Sequence, residues 1–74
     1  MTAIVWSKPA CTFCEMAKTL LKQKGIEYEE RNLANGWTIE QLTEAVPGAK
    51  SVPQIFIDDK YIGTFEHLKE HFNQ

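Results

Sequence analysis

The apolar residues of this chain switch between the two-residue repeat of strands and the three-to-four-residue repeat of helices. Ala3-Ile4-Val5-Trp6 is a continuous apolar run of strand length. Phe13, Met16, Ala17, Leu20 and Leu21 then follow the i, i+3, i+4, i+7, i+8 spacing that predicts a helix with those five residues on its buried face. Lys24-Gly25 ends it, since glycine suits the left-handed position past a helix C-terminus. Ile26, Tyr28 and Glu30 alternate with Glu27, Glu29 and Arg31, which predicts a second strand, and Asn32 to Gly36 reads as a loop with Asn35-Gly36 as its turn. Thr38-Ile39-Glu40-Gln41 has the form of a capping box, so a short second helix starts there with Ile39, Leu42 and Val46 as its apolar stripe. Trp37, just before the cap, is placed either to staple against Leu42 or to sit on the surface. Pro47-Gly48 stops that helix.

Val52-Pro53-Gln54-Ile55-Phe56-Ile57 predicts a third strand, short and almost continuously apolar, as buried central strands are. Asp58-Asp59-Lys60 is a tight hairpin turn, and Tyr61-Ile62 returns as a fourth strand. Gly63-Thr64 opens a last helix with Phe65, Leu68 and Phe72 on its inner face. The order is β-α-β-α-β-β-α, without repeat, linker or low-complexity stretch. The βαβ start implies a parallel pair and the late hairpin an antiparallel one. The expectation is therefore an α/β fold: one domain over residues 1–74, a four-stranded mixed sheet and helices on both faces.

Composition narrows the chemistry. The net charge is −2 with both signs interspersed, and no basic block argues for nucleic acid. No apolar run approaches the length of about 18 residues that a membrane span needs, and the first residues lack the features of a secretory signal. A cytoplasmic, reducing setting is expected, where a lone Cys-x-x-Cys reads as redox or metal chemistry.

Cys11 and Cys14 are the only cysteines. A disulfide between them would close a loop of about four residues, and so small a loop adds little stability. The pair is more useful as chemistry. It sits where the first strand gives way to the first helical turn, and the unpaired N–H groups and dipole of that turn favour negative charge. Thiolate is the nucleophilic form of cysteine, and Lys8 adds a cation nearby in sequence. Cys11 is placed to be the thiolate, and Cys14, one turn later, to attack whatever Cys11 binds. Zinc is the competing use, because His67 and His71 add a His-x3-His pair. The gap between the cysteine and histidine pairs far exceeds the roughly 12–15 residues of zinc fingers, and both histidines suit an exposed helix face near the C-terminus.

A βαβ start with Cys-x-x-Cys at the first helix is the thioredoxin-like signature. Within that superfamily the chain resembles the glutaredoxins along essentially its whole length. Three blocks carry the resemblance: Lys8-Pro9-Ala10-Cys11-Thr12-Phe13-Cys14, Ser51-Val52-Pro53-Gln54-Ile55-Phe56-Ile57, and Tyr61-Ile62-Gly63-Thr64-Phe65. The resemblance implies a monomeric, glutathione-dependent thiol–disulfide oxidoreductase with glutathione as co-substrate and no bound cofactor or metal. Cys11 matches the family's nucleophile and Cys14 its resolving thiol. Glutathione contacts fall on Lys8, Phe13, Val52, Pro53, Thr64, Phe65 and Glu66, with Pro53 matching the family's cis-proline. Thr64 to Glu66 would offer helix-start N–H groups to the γ-glutamyl carboxylate. Disulfide-bearing proteins are the implied partners, ribonucleotide reductase among them at the level of the family, and neither nucleic acid nor membrane is implied.

This chain departs from the family pattern at named positions. The usual Cys-Pro-Tyr-Cys is Cys11-Thr12-Phe13-Cys14, so a backbone N–H returns at Thr12. The usual Gly-Gly is Gly63-Thr64, and the acidic pair after it is Glu66-His67. Two other readings accompany these departures. One is a thioredoxin-like donor reduced by a flavoprotein reductase. The other is a carrier of a glutathione-ligated [2Fe–2S] cluster, for which absence of proline after the first cysteine is permissive.

Overall fold

Alternation along the first strand decides the layering. In β1 (Thr2–Ser7) Ala3 and Val5 are buried on one face of the sheet, while Trp6, also buried, and Ile4 pack on the other. A strand apolar on both faces belongs in the middle of a covered sheet. The computed structural model, which describes residues 1–73, places it there. The chain continues through α1 (Thr12–Gln23), β2 (Glu27–Asn32), α2 (Ile39–Ala45), β3 (Gln54–Ile57), β4 (Lys60–Gly63) and α3 (Phe65–Phe72). Strand order is β2-β1-β3-β4, with β1 parallel to β2 and antiparallel to β3, and β3 antiparallel to β4. The expected element order and mixed four-stranded sheet are both present.

Two apolar clusters lie on opposite faces. Ala3, Val5, Ile55 and Ile57 of the sheet meet Ala17 and Leu21 of α1 and Phe65 and Leu68 of α3. On the other face Trp6 meets Leu42 and Val46, the second of which caps the C-terminus of α2. Trp37 joins this second cluster, edge-on to Trp6 at 5.4 Å between ring centroids, and the Arg31 guanidinium lies 4.4 Å from the Trp37 ring. Arg31 is held in turn by Glu29 at 2.6 Å. Of the two placements expected for Trp37, packing against the Leu42 cluster is the one observed.

Local signals hold at the turns. Thr38 caps α2, its hydroxyl accepting the Gln41 N–H at 3.1 Å and the Gln41 side chain accepting the Thr38 N–H at 2.9 Å. Gly25 is left-handed directly past α1, and both hairpin residues, Asp58 and Asp59, have positive φ. That is the type I′ pattern matching strand twist, in which aspartate is tolerated.

The structure corrects two boundaries and two faces. β3 begins at Gln54 rather than Val52, because Pro53 has no N–H to give to the ladder. β2 runs on through Asn32, pairing with Ser7, so the loop begins one residue later than expected. The buried stripe of α1 is Cys14, Ala17 and Leu21, with Phe13 54% and Met16 42% exposed. The small side chains at 14 and 17 let the helix axis lie close to β1, and the two larger residues are left at the flanks. Ile39 is likewise 64% exposed, since the seven-residue α2 seats only Leu42 and its capping Val46 against the sheet.

These assignments predict unequal costs along one helix. Leu21→Ala should remove about 2–5 kcal/mol, enough to leave much of so small a domain unfolded. Met16→Ala should stay within about 0.5 kcal/mol of wild type, as exposed positions do. Denaturant midpoints of the two variants check this, and equal losses would restore the face expected from sequence.

Candidate active site

The turn between β1 and α1 sets the geometry of the cysteines. Ala10 is left-handed, with φ 57°, and brings the chain round so that Cys11 enters α1 as its N-cap in extended conformation. The Cys11 Sγ accepts the Cys14 N–H at 3.2 Å, the bond an N-cap oxygen would normally receive. Cys11 is half-buried and Cys14 fully buried, and the two sulfurs are bonded across a Cα–Cα distance of 5.3 Å. When that bond is reduced, the donors of the first turn face the Cys11 sulfur and favour its thiolate. An attacker can therefore reach Cys11, while Cys14 is reached from within.

The opposite wall is the segment ahead of β3. The Val52–Pro53 bond is cis, as the resemblance implied, and Cys11 Sγ lies 3.8 Å from the Val52 carbonyl oxygen. Gln54, the one polar residue in this apolar run apart from Ser51, holds the segment in place. Its buried Nε2 donates to the Ser51 carbonyl at 2.9 Å, and its Oε1 accepts from the Tyr61 hydroxyl at 2.6 Å. Sequence reasoning gave Gln54 no role. The signal was available, because a polar side chain in a central strand must find partners.

A cleft of about 250 Å³ opens between these walls and the start of α3, lined by Phe13, Ser51, Val52, Pro53, Thr64, Phe65 and Glu66. Six of the seven residues assigned to glutathione by resemblance are thereby brought together. The seventh, Lys8, lines an adjoining trough on the other side of Ser51 and Val52. Phe13 forms part of the cleft wall with its ring 5.9 Å from that of Phe65. Thr64 is the N-cap of α3, and its N–H donates to Nδ1 of His67 at 3.2 Å. His67 is exposed as expected but sits in the first turn of α3, whereas His71 lies in the last turn. One of the three N–H groups expected for a ligand carboxylate is consequently occupied, leaving those of Phe65 and Glu66 without intrahelical acceptors. Gly63, at φ 122°, makes room for this cap: a Cβ there would stand 2.6 Å from His67 Nδ1. Among the described residues, no three His, Cys, Asp or Glu side chains gather as metal ligands.

A polar network not foreseen from sequence lies behind α1. The Ser7 hydroxyl donates to Glu30 at 2.7 Å, Lys18 reaches the same carboxylate at 2.9 Å, and Lys18 also meets Glu15 at 2.6 Å. Lys18 lies one turn beyond Cys14, so the network ties the reactive end of α1 to β1 and β2. Burial opposes the charge on Lys18, but Glu15 and Glu30 outweigh it and raise its pKa. The Ser7 hydroxyl, then Lys18, hold the Glu30 carboxyl below the ordinary glutamate value against the effect of burial.

Comparison with known proteins places this site in context. The family model described as Glutaredoxin matches residues 3–62. The chain is 43% identical to the hybrid peroxiredoxin hyPrx5 of Haemophilus influenzae over 92% of its own length, but it spans only 28% of that protein. It is 40% identical to glutaredoxin 1 of Rickettsia conorii, covering 90% of this chain and 68% of the relative. Among solved structures it superimposes on a buckwheat glutaredoxin–glutathione complex with a TM-score of 0.83 and 28% identity, covering 96% of this chain and 67% of that one.

The network generates a pH-dependent prediction. A lowered folded pKa means that the contribution of Glu30 is complete above the ordinary value of 4.5 and is lost as pH falls through the folded value. At neutral pH Glu30→Gln should therefore be less stable than wild type, by up to about 1 kcal/mol for a pair this open to solvent. The two should converge in acid. Denaturation across pH checks this, and a gap that stays constant would assign the loss to packing instead of charge.

Proposed function

The chain belongs to the glutaredoxin family, whose members are thiol–disulfide oxidoreductases, and we propose that it reduces protein disulfides and glutathione mixed disulfides with electrons from glutathione. The observation that carries this reading is the placement of one reachable sulfur, Cys11, against the Val52 carbonyl, beside a cleft of about 250 Å³ that Val52 lines. Glutathione lying there would bring its cysteine to Cys11, its γ-glutamyl carboxylate to the N–H groups of Phe65 and Glu66, and its glycine carboxylate towards Lys8.

The steps follow from the exposure of each thiol. The Cys11 thiolate attacks one sulfur of the substrate disulfide, that S–S bond breaks, and the departing thiolate takes a proton from solvent. Cys14 loses its proton and attacks Cys11 Sγ, forming the Cys11–Cys14 disulfide and releasing the second substrate thiolate. A first glutathione thiolate then attacks Cys11 Sγ and frees Cys14. A second attacks the glutathione sulfur, releasing oxidised glutathione and the Cys11 thiolate. Two electrons pass from two glutathiones to one disulfide. With a glutathione mixed disulfide as substrate, Cys11 takes the glutathionyl group directly and Cys14 is not needed.

The likeness to a protein named a hybrid peroxiredoxin favours one class of protein substrate, an oxidised peroxiredoxin-type thiol. A reducing, cytoplasmic setting and action as a monomer belong to the same proposal.

The test separates the two thiols. Cys11→Ser should abolish turnover of both substrate classes, at least 1,000-fold on the order of magnitude expected for a lost nucleophile. Cys14→Ser should keep reduction of a glutathione mixed disulfide, coupled to glutathione reductase, and lose reduction of protein disulfides. Equal loss of both would reject the assigned roles. No turnover with glutathione, alongside insulin reduction under dithiothreitol, would select a thioredoxin-like donor instead.

A further inference from the structure

We infer that Tyr61, which does not line the cleft, governs how tightly the cleft holds glutathione, because its hydroxyl fixes the Ser51–Val52 segment through the Gln54 side chain. This rests on the proposed function and adds a positioning residue to it. Val52 is the wall against which Cys11 Sγ rests, and Ser51, Val52 and Pro53 all line the cleft. The strand ladder does not hold that wall. Pairing of β1 with β3 stops at Trp6 and Gln54, and β4 pairs with β3 only from Ile55 onward. The Gln54 side chain ties the segment to the sheet, its Nε2 donating to the Ser51 carbonyl at 2.9 Å.

Strand alternation explains how a residue outside the cleft acts on it. Tyr61 stands opposite Phe56 in the β3–β4 pair, and Gln54 lies two residues before Phe56, on the same face of the sheet. Gln54 and Tyr61 are therefore diagonal neighbours, a separation that long and aromatic side chains span. The Tyr61 ring leans on that of Phe56, with centroids 5.4 Å apart, and its hydroxyl donates to Gln54 Oε1 at 2.6 Å. Gln54 is 4% exposed, so little water can replace the phenol. A buried amide that loses one partner must leave Oε1 unpaired or turn towards water, and turning takes Nε2 away from Ser51. A wall that moves has to be ordered each time glutathione binds, which weakens binding, whereas a wall fixed in advance avoids that loss. The acidity of Cys11 is set separately, by the first turn of α1. Binding and thiol acidity should therefore respond to different residues.

The experiment compares Tyr61→Phe, which keeps the ring and removes only the hydroxyl, with wild type, Gln54→Leu and the double variant. The substrate is the mixed disulfide of glutathione and mercaptoethanol. Tyr61→Phe should raise KM about fivefold, the scale of one net hydrogen bond, and keep kcat within about twofold of wild type. Alkylation of Cys11 by iodoacetamide should keep its wild-type pH dependence, because the first turn of α1 is untouched. In the Gln54→Leu background Tyr61→Phe should add nothing, since the phenol acts through the amide. A purely structural role would shrink the folded fraction and lower kcat at unchanged KM. That result would overturn the inference, as would an equal rise in KM with and without Gln54. A ligand-free measurement reads the linkage on its own: NMR order parameters of the Ser51 and Val52 amides should fall in Tyr61→Phe. Values equal to wild type would overturn the inference whatever the turnover. Absence of glutathione turnover in wild type would instead reject the proposed function and leave the order parameters to decide the linkage.

Discussion

The rest of the site depends on one unusual hydrogen bond, the donation of the Cys14 N–H to Cys11 Sγ at 3.2 Å. It makes a single atom both the cap of α1 and the reacting sulfur. A helix N-terminus must satisfy its first N–H groups somehow, and here sulfur takes the place usually held by a serine or aspartate oxygen. Formation of the fold therefore aims donors at the position where thiolate charge develops. The same geometry splits the roles of the two thiols. Cys11, the extended N-cap, stays half-buried at the rim, while Cys14, inside the first turn, packs against the sheet and is fully buried.

That bond would be of little use without a fixed partner across the cleft, and the partner is held by polar contacts in an otherwise apolar strand. Gln54 is buried, yet its amide is satisfied on both sides, by the Ser51 carbonyl and the Tyr61 hydroxyl. A buried amide satisfied this way fixes the position of the backbone it grips, because releasing it would leave polar atoms unpaired out of water. The grip falls directly on the Ser51–Val52 segment. On the far side of α1, the Ser7–Glu30–Lys18 contacts tie the helix to the parallel strand pair. The reactive turn is thus anchored from the front through β3 and β4 and from behind through β1 and β2.

What could be read from sequence was what the chain specifies locally. Strands, turns, the Thr38 capping box and the Cys-x-x-Cys site all depend on residues a few positions apart, and all were legible. The failures lie where tertiary packing chose between local options. Hydropathy put Phe13 and Met16 on the inner face of α1, but close approach to β1 favoured Cys14 and Ala17, which are small. Ile39 fits the stripe of α2, yet the short helix does not bring it to the sheet. Glu30 alternated with Ile26 and Tyr28 and so pointed inward on paper. Only the fold shows that Ser7 and Lys18 come from other elements to meet it. The residues assigned to glutathione came from resemblance to a family, since nothing local links Lys8, Val52 and Thr64.

His67 shows how one such departure reshapes recognition. Where the family pattern has an acid, the imidazole takes the Thr64 N–H at the start of α3, and Gly63 leaves the space it needs. The helix start is therefore partly satisfied from within, with fewer donors left for a ligand carboxylate, and Glu66 adds a negative charge beside them. Across Val52 the balance is the opposite, with Lys8 and Lys50 unpaired among the described residues and no acid in the lining. The two ends of this surface thus differ in charge, a carboxylate beside a partly satisfied helix start at α3 and two lysines on the α2 side.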